Sequence, residues 1–294
     1  MIRRVALVPN TSKSGALRCA QKVALLLKEK GVESFAEPSK AEMFAALGGG
    51  VAPIDGDELF KSCDSAVVFG GDGTVLSVAK RAAEADMPII GVNFGHVGYI
   101  TELEESEAHM LSMLATGDYR LEKRMMLDVS ISKNGKQLFF SHAFNEATVT
   151  RGIVSRLADF SVSCDGDLVS HYRADGLIIA TPTGSTAYSM AAGGPVIDPS
   201  VEVIATTPVC SHSPQSGRSL IFGPNSVIKV NIPSARRAEA VVTVDGRAYF
   251  RINDSDLSVT VTKSDKYVSL IKLKNTPFAT TLLQKFGAGN GIEK

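Results

Sequence analysis

The sequence has no apolar run long enough to cross a membrane. The longest apolar stretches, such as residues 65–69 and 177–180, fall far short of the ~20 residues that a transmembrane helix needs. Charge is also balanced, with 31 Lys and Arg against 31 Asp and Glu, so no overall field attracts nucleic acid or an anionic membrane. We therefore expect neither as a partner, and any anionic ligand must be bound by a local site.

Cysteine is scarce, and no two cysteines form a C-x-x-C pair. The four are Cys19, Cys63, Cys164 and Cys210, and no signal-like segment precedes them, so we expect reduced thiols and a cytoplasmic location. The five histidines lack H-x-x-x-H spacing, which argues against a zinc site. No Ser-His-Asp or Cys-His nucleophile arrangement is readable, and we predict no metal held by the protein itself.

The first third of the chain alternates apolar strands with amphipathic helices. Its 294 residues suggest about two domains. The pattern predicts strands at 4–8, 66–69 and 89–92 and helices at 16–30 and 74–85. Continuous apolar strands between helices indicate a parallel sheet with both faces covered. A cluster of glutamates, at positions 102, 104, 105 and 107, is predicted to be a solvated helix start.

From about Met125 the apolar residues alternate, which is typical of strands. Asn134-Gly135 and Asp165-Gly166 are hairpin-turn dipeptides, and one helix is predicted near 185–192. We therefore predict an α/β domain with a parallel sheet over residues 1–122 and a mostly β domain over 123–274. The apolar segment 276–286 is predicted to be helical, with 275–294 packing back on the first domain.

The sharpest local signal is the run 70–74, Gly-Gly-Asp-Gly-Thr, between an apolar strand and a helix. Glycines at such a turn let backbone N–H groups and the helix N-terminus approach phosphate. The run is not a P-loop, because no Lys follows the second Gly, and Leu76 occupies the third glycine position of a Rossmann fingerprint. We predict a phosphate cradle formed by Gly70, Gly71, Gly73 and Thr74.

Asp72 lies inside this cradle, where like charges at ~4 Å would repel by roughly 1–4 kcal/mol. Two interpretations are open. Asp72 either shapes the turn and caps the following helix, or it accepts the proton of a hydroxyl that attacks a phosphoryl group.

A second signal is the hydroxyl-rich run 181–189, Thr-Pro-Thr-Gly-Ser-Thr-Ala-Tyr-Ser, which follows the apolar strand 176–180. It is either another rim of a binding site or a Ser/Thr-capped helix after a Pro-Thr-Gly turn. Two such turns in one chain, each after an apolar strand, favour the binding site.

These motifs resemble those of bacterial NAD kinases in order and spacing. The resemblance rests on the run 70–74, the pair Asn145-Glu146, the pair Asp175-Gly176 and the run 181–189. The turn 8–10 and the stretch 93–99 add to it, so that it covers nearly the whole chain. Diacylglycerol and sphingosine kinases share the first run, whereas the run 181–189 is far more selective.

The resemblance implies ATP-dependent phosphorylation of NAD at the 2′-hydroxyl of its adenosine ribose, giving NADP. Asp72 would accept the proton, Mg²⁺ would arrive with ATP, and the protein would form a homodimer or homotetramer. The residues implied to bind the dinucleotide are Asp72, Gly73, Asn145, Glu146, Arg156, Arg173, Asp175, Thr186, Ala187, Tyr188, Ser189, Met190 and Ala191.

The sequence also departs from the family pattern. Arg247 stands where Gln is common, and the stretch 211–218 carries an extra residue, so roles for Arg247, Cys210 and His212 stay open. Two other functions also stay open: a lipid or alcohol kinase that shares the cradle, and a non-catalytic sensor of NAD or NADP. The hydroxyl-rich run 181–189 argues against the first and Asp72 against the second.

Overall fold

The computed structural model describes residues 1–95, 98–152, 158–212, 217–231, 240–252 and 257–287. The chain divides into two compact units, one of Met1–Lys123 with the chain from Tyr267 onward and one of Arg124–Lys266. The sequence predicted these divisions after residues 122 and 274. The second division lies earlier because Leu270 pairs with Ile89, a strand residue of the first unit.

The first unit contains a parallel sheet. Its strands run in the spatial order β3-β2-β1-β4-β5, with β6 beside β5. Every residue of the fourth and fifth strands is buried, as the continuous apolar runs predicted. The strands are β1 (Arg4–Pro9), β2 (Glu33–Ala36), β3 (Ala52–Pro53), β4 (Ser65–Gly70), β5 (Ile89–Asn93) and β6 (Leu103–Glu104).

Helices accompany this sheet. They are α1 (Ala16–Glu29), α2 (Pro38–Ala46), α3 (Gly56–Ser62), α4 (Asp72–Glu84) and α5 (Met113–Thr116), with a 3-10 helix at Glu105–Ser112. The predicted apolar face of α1 is buried through Ala20, Val23, Ala24 and Leu27. Helix α4 begins two residues before the predicted Thr74, which places Asp72 in its first turn.

The second unit is mostly β, as predicted. Six strands form an antiparallel sheet in the order β14-β13-β12-β9-β16-β17. The predicted helix near 185–192 is instead a 3-10 turn, Gly184–Thr186, followed by the short helix α6 (Tyr188–Ala191). The strands are β7 (Arg120–Lys133), β8 (Lys136–Ala143), β9 (Glu146–Arg151), β10 (Ala158–Cys164), β11 (Asp167–Ala174), β12 (Gly176–Ala180), β13 (Ile204–Val209), β14 (Leu220–Phe222), β15 (Ile228–Asn231), β16 (Ala240–Val244), β17 (Ala248–Ile252) and β18 (Leu257–Lys272).

Both predicted hairpin turns are confirmed. Asn134-Gly135 joins β7 to β8 with φ of 50° and 78°, and Asp165-Gly166 joins β10 to β11 with φ of 54° and 97°. Positive φ at both central residues matches the right-handed twist of the flanking strands. A third dipeptide, Asp245-Gly246, also has positive φ at both residues, 50° and 64°, and joins β16 to β17 together with Arg247 in a three-residue loop.

The last helix of the described residues is α7 (Phe278–Gly287), close to the predicted 276–286. Its side chains are at most partly buried, and Leu283 is 72% exposed. Of the helices described, none has the length and apolar character that a membrane span requires.

The acidic cluster is only partly as predicted. Glu104 and Glu107 form a capping box at the start of the 3-10 helix, which is a helix start as expected. The expectation of solvation is wrong for Glu102, which is 7% exposed. Its Oε1 accepts the N–H groups of Leu273 at 2.9 Å and Lys274 at 2.8 Å. Its Oε2 pairs with the ammonium of Lys272, so Glu102 fixes the end of β18 within the first unit.

This buried pair gives a stability prediction. Glu102→Gln should lower the free energy of unfolding by about 3 kcal/mol, because the shielded Lys272 ammonium loses its partner. The exposed pair of Lys80 and Glu84 on α4 is the matched control, and Glu84→Gln should cost no more than about 0.5 kcal/mol. Urea unfolding followed by circular dichroism measures both variants. Small decreases in the free energy of unfolding that are equal in the two variants would contradict a stabilising role for Glu102.

Candidate active site

The predicted phosphate cradle lies at the carboxyl end of β4. In the order β3-β2-β1-β4-β5 the chain reverses its direction of winding between β1 and β4, and open α/β sheets bind ligands at such a point. Asn10, which follows β1, donates its backbone N–H to Phe69 O at 2.8 Å and its Nδ2 to Thr74 Oγ1 at 3.1 Å. The two strand ends that border this point are therefore tied together.

The glycines of the cradle have different structural roles. A Cβ on Gly70 would lie 2.2 Å from Thr74 Oγ1, so close packing requires glycine there. A Cβ on Gly71 or Gly73 would meet no heavy atom of the described residues within 4 Å. These two glycines therefore leave room for a ligand to approach the turn before α4.

The carboxylate of Asp72 is held by a neighbouring turn. Its Oδ2 accepts Tyr99 N–H at 2.7 Å, and its Oδ1 accepts the N–H groups of Ile100 and Thr101 at 3.1 and 3.2 Å. A Cβ on Gly98 would lie 2.2 Å from Asp72 Oδ1, so the turn can approach only as glycine. The helix-capping interpretation is wrong, because the cap position of α4 is Gly71 and the carboxylate faces residues 99–101.

This turn also contacts helix α7. The Nζ of Lys285 lies 4.3 Å from the ring centroid of Tyr99, a cation–π distance. Burial, with the nearby charge of Asp72, raises the pKa of Tyr99. The turn that holds Asp72 is thus supported by α7.

A polar depression of about 300 Å³ lies at the carboxyl end of β5. Asn93 is buried there and donates its Nδ2 to both carboxylate oxygens of Glu104, at 3.1 and 3.2 Å. Asn93 Oδ1 is buried without a hydrogen-bond partner among the described residues. The lining residues are Lys13, Ser14, Asn93, Phe94, Gly95, Glu104 and Glu105.

In the second unit, the pair Asn145-Glu146 lies where β9 begins. Asp245 accepts the N–H groups of Phe144 and Asn145 at 2.8 Å and of Glu146 at 3.1 Å. Thr181 binds the opposite side, donating its Oγ1 to Phe144 O at 2.7 Å and its N–H to Asn145 O at 2.9 Å. The backbone of the pair is therefore fixed from two directions.

The side chains of this pair are buried but incompletely bonded. Asn145 is 9% and Glu146 8% exposed, and neither Asn145 Oδ1 nor Glu146 Oε2 has a hydrogen-bond partner among the described residues. Burial, together with the charge of Asp245, raises the pKa of Glu146 to about 7. Burial also raises the pKa of Asp245, although the three N–H donors act against that rise. Buried oxygens without partners are typical of a site that a polar ligand completes.

The run 181–189 wraps around the same pair. A Cβ on Gly184 would lie 2.0 Å from Asn145 O, so this contact requires glycine. Gly184 N–H donates to Thr181 Oγ1 at 3.0 Å, and Ser185 Oγ donates to Pro182 O at 2.6 Å. Part of the hydroxyl content therefore shapes the turn, as the capping interpretation predicted, while the turn itself packs against Asn145.

Residues 186–191, at and just after the end of this run, differ in how far their side chains are exposed. Ser189 is fully buried and its Oγ lies 3.1 Å from Thr207 Oγ1, which accounts for its hydroxyl. Tyr188 is 43% exposed and so is not a core residue. Thr186, Ala187 and Met190 are half-buried, and Ala191 is exposed.

The remaining predicted site residues lie near the start of β12. Arg173 is exposed on β11, and Asp175 forms an ion pair with Arg151, with Arg151 Nε 2.7 Å from Asp175 Oδ1. Sequence reasoning missed Arg151, and no spacing signal marks it. Arg156 lies outside the described residues.

Within the described ranges, no group of three or more His, Cys, Asp or Glu side chains could hold a metal ion. In each unit the structure brings together a motif and its support: the cradle with residues 98–101, and Asn145-Glu146 with Thr181 and Asp245.

Both halves of the chain match known domain families. Residues 5–119 match the ATP-NAD kinase N-terminal domain, and residues 144–273 match the ATP-NAD kinase C-terminal domain. The matched ranges contain the cradle, the pair Asn145-Glu146, the run 181–189 and Asp245.

Full-length relatives and solved structures agree with this assignment. NAD kinase of Caldanaerobacter subterraneus subsp. tengcongensis is 37% identical over 286 residues, covering 97% of this chain and 99% of the relative. NAD kinase of Natranaerobius thermophilus is 32% identical over 292 residues, covering 99% and 100%.

Two crystal structures have the same fold. An NAD kinase from Archaeoglobus fulgidus in complex with ATP has a TM-score of 0.72 and 26% identity, covering 99% of this chain and 100% of that one. Yeast NADH kinase complexed with NADH has a TM-score of 0.88 at 21% identity, covering 100% and 89%. On these matches the chain belongs to the NAD kinase family.

Proposed function

We propose that this chain transfers the terminal phosphoryl group of ATP to the 2′-hydroxyl of the adenosine ribose of NAD, forming NADP and ADP. Relatives over nearly the full length are named NAD kinase, and a relative of known structure binds ATP. The observation that carries the proposal is Asp72, oriented by three N–H donors beside a glycine turn at the sheet's ligand-binding edge.

In this proposal Asp72 orients the attacking hydroxyl and takes its proton. A carboxylate has about four acceptor sites on its two oxygens. Among the described residues, two N–H groups bind Oδ1 and one binds Oδ2, which would leave one site on Oδ2 for the hydroxyl. As the 2′-oxygen bonds to the γ-phosphorus, the bond from that phosphorus to the bridging oxygen breaks, ADP leaves and the proton moves to Asp72.

The cradle would bind the phosphates. Gly71 and Gly73 leave space for close approach, and the N-terminus of α4 favours negative charge. Phosphate contacts are assigned to Gly70, Gly71, Gly73 and Thr74. Mg²⁺ is part of the substrate Mg-ATP in this proposal, bound mainly through phosphate oxygens, which needs few protein ligands.

The second unit would bind the dinucleotide. Asn145 Oδ1 and Glu146 Oε2 are acceptors that ribose hydroxyls or an exocyclic amine would satisfy. The exposed ring of Tyr188 offers a face for stacking, and Arg173 offers a cation for pyrophosphate or ribose oxygens. The other residues assigned to the dinucleotide are Gly73, Arg156, Asp175, Thr186, Ala187, Ser189, Met190 and Ala191.

We extend the proposal to location and assembly. All four cysteines are free, and burial raises the pKa of the Cys19 and Cys63 thiols to about 11, which suits a reducing cytoplasm. Exposed apolar side chains of the second unit, including Leu168 at 59% and Ile221 at 53%, suit a homodimer or homotetramer.

An acceptor panel tests the reaction directly. The chain incubated with NAD, ATP and Mg²⁺ should form NADP, detected with an NADP-specific dehydrogenase, and omission of either NAD or ATP should abolish the signal. Parallel reactions contain diacylglycerol in place of NAD, or polyphosphate in place of ATP. NAD binding without NADP formation would favour a sensor, and a phosphorylated lipid would favour a lipid kinase.

A single substitution tests the role of Asp72. Asp72→Asn should lower kcat about 100-fold or more, because the amide cannot take the hydroxyl proton. Affinity for NAD should change little, since Asn Oδ1 can still accept two N–H groups of the turn. Isothermal titration and steady-state kinetics measure the two effects.

Asp86, at the other end of the same helix, provides the control. It is exposed with φ of 51°, a conformation that asparagine also tolerates, so Asp86→Asn should leave kcat within about twofold. Unchanged turnover in Asp72→Asn, with melting temperatures alike in both variants, would remove Asp72 from the proton-accepting role.

A further inference from the structure

We infer that Asp245 is a positioning residue for dinucleotide binding, which holds the backbone of Asn145 and Glu146 in place through hydrogen bonds. The inference rests on the proposed function, in which these two side chains bind NAD. Asp245 itself makes no contact with substrate in this account. It acts through the backbone of residues 144–146 and through its charge.

The backbone of residues 144–146 is completely hydrogen-bonded, and Asp245 supplies most of the bonds. Its carboxylate accepts all three N–H groups, at 2.8, 2.8 and 3.1 Å, and its own N–H donates to Glu146 O at 2.9 Å. Thr181 binds the two other carbonyl groups, of Phe144 and Asn145. Rotation of this segment would break several of these bonds at once, so the direction of the Cα–Cβ bond is fixed for both side chains.

Turn formation alone does not explain an acidic residue at this position. Asp245-Gly246 forms a turn with both φ values positive, and asparagine is at least as well suited to such a turn. Asp165-Gly166 also has two positive φ values, in a two-residue rather than a three-residue loop, yet among the described residues Asp165 Oδ1 accepts one backbone N–H, that of Val227 at 2.8 Å. Because the two oxygens of Asp245 accept three N–H groups, we infer that the carboxylate is needed to bind the backbone of residues 144–146.

The charge of Asp245 has a second effect. Glu146 is buried beside it, and the pKa of Glu146 is raised to about 7 by burial and by that charge. Among the described residues, Asp245 is the charged group that acts on Glu146, and Arg247 is the charged group that acts on Asp245. Glu146 therefore changes protonation near neutral pH, where a carboxylate accepts stronger hydrogen bonds from ribose hydroxyls than the neutral acid does.

The test is the pH dependence of the KM for NAD. In the unmodified protein, KM should rise as pH falls through about 7, because Glu146 becomes protonated. Glu146→Gln should raise KM and remove this pH dependence. Asp245→Asn should move the midpoint to lower pH by about one pH unit, because the nearby negative charge is gone.

Asp245→Asn should also separate binding from turnover. Asparagine keeps one acceptor oxygen and presents an N–H₂ group to a backbone donor, so KM for NAD should rise about 5- to 10-fold at pH 8. The kcat at saturating NAD should change much less, because the phosphoryl-transfer site keeps Asp72. Asp165→Asn, in the comparable turn, should change neither KM nor its pH midpoint.

The outcomes distinguish the inference from the function on which it rests. If the unmodified protein makes NADP but Glu146→Gln keeps the normal KM and pH dependence, the dinucleotide-binding role of Glu146 fails and the inference fails with it. If Glu146→Gln behaves as expected but Asp245→Asn leaves the pH midpoint unchanged, only the role of Asp245 fails. Circular dichroism and melting temperature identify a variant that is merely unfolded. In that case the milder Asp245→Glu is measured, and its longer carboxylate should raise the KM for NAD while keeping the pH midpoint near 7. A pH midpoint shifted as far as a neutral side chain would shift it overturns the inference.

Discussion

The structure depends on acidic side chains that accept hydrogen bonds from backbone N–H groups far away in the sequence. Asp64 accepts the amides of residues 3–4 at 2.7 and 2.9 Å, and Asp72, Glu102 and Asp245 each accept two or three consecutive amides. A hydrogen bond to a charged group contributes about 1.5–3 kcal/mol, roughly twice a neutral one. Each carboxylate therefore fixes a turn or strand end that the backbone hydrogen bonds between the strands of the sheet do not hold.

This arrangement leaves functional side chains available to a ligand. A turn next to a binding site must satisfy its own backbone N–H and C=O groups, and side chains that do so are unavailable for anything else. In the second unit Asp245 and Thr181 satisfy the backbone of residues 144–146, and Asn145 Oδ1 and Glu146 Oε2 have no partner among the described residues. In the first unit Asp72 holds residues 99–101, and under the proposed function it would also accept the attacking hydroxyl.

Local patterns predicted the sheets and turns but not these long-range contacts. The buried strands β4 and β5 and the Asn134-Gly135 turn carry their signals within a few residues, so sequence reasoning found them. It missed β2, α2, β3 and α3, since β2 and β3 are only four and two residues long and α2 buries only Ala41 and Phe44. It predicted solvation for Glu102, whose backbone partners lie 171 and 172 residues away. Charge spacing within a segment contains no information about such a partner.

The same reasoning explains how the proposed dinucleotide site would select its ligand. A buried acceptor without a partner costs about 1–3 kcal/mol, and a bound group that donates to it recovers that free energy. Among the described residues, Glu146 Oε2 and Asn145 Oδ1 are such acceptors, and Asp245 and Thr181 hold the backbone that carries them. Under the proposed assignment, a dinucleotide that lacks the donor group would leave both oxygens unpaired and would not recover this free energy. Selection would then depend on the rigidity of residues 144–146, and through it on Asp245, more than on the number of contacts the ligand makes.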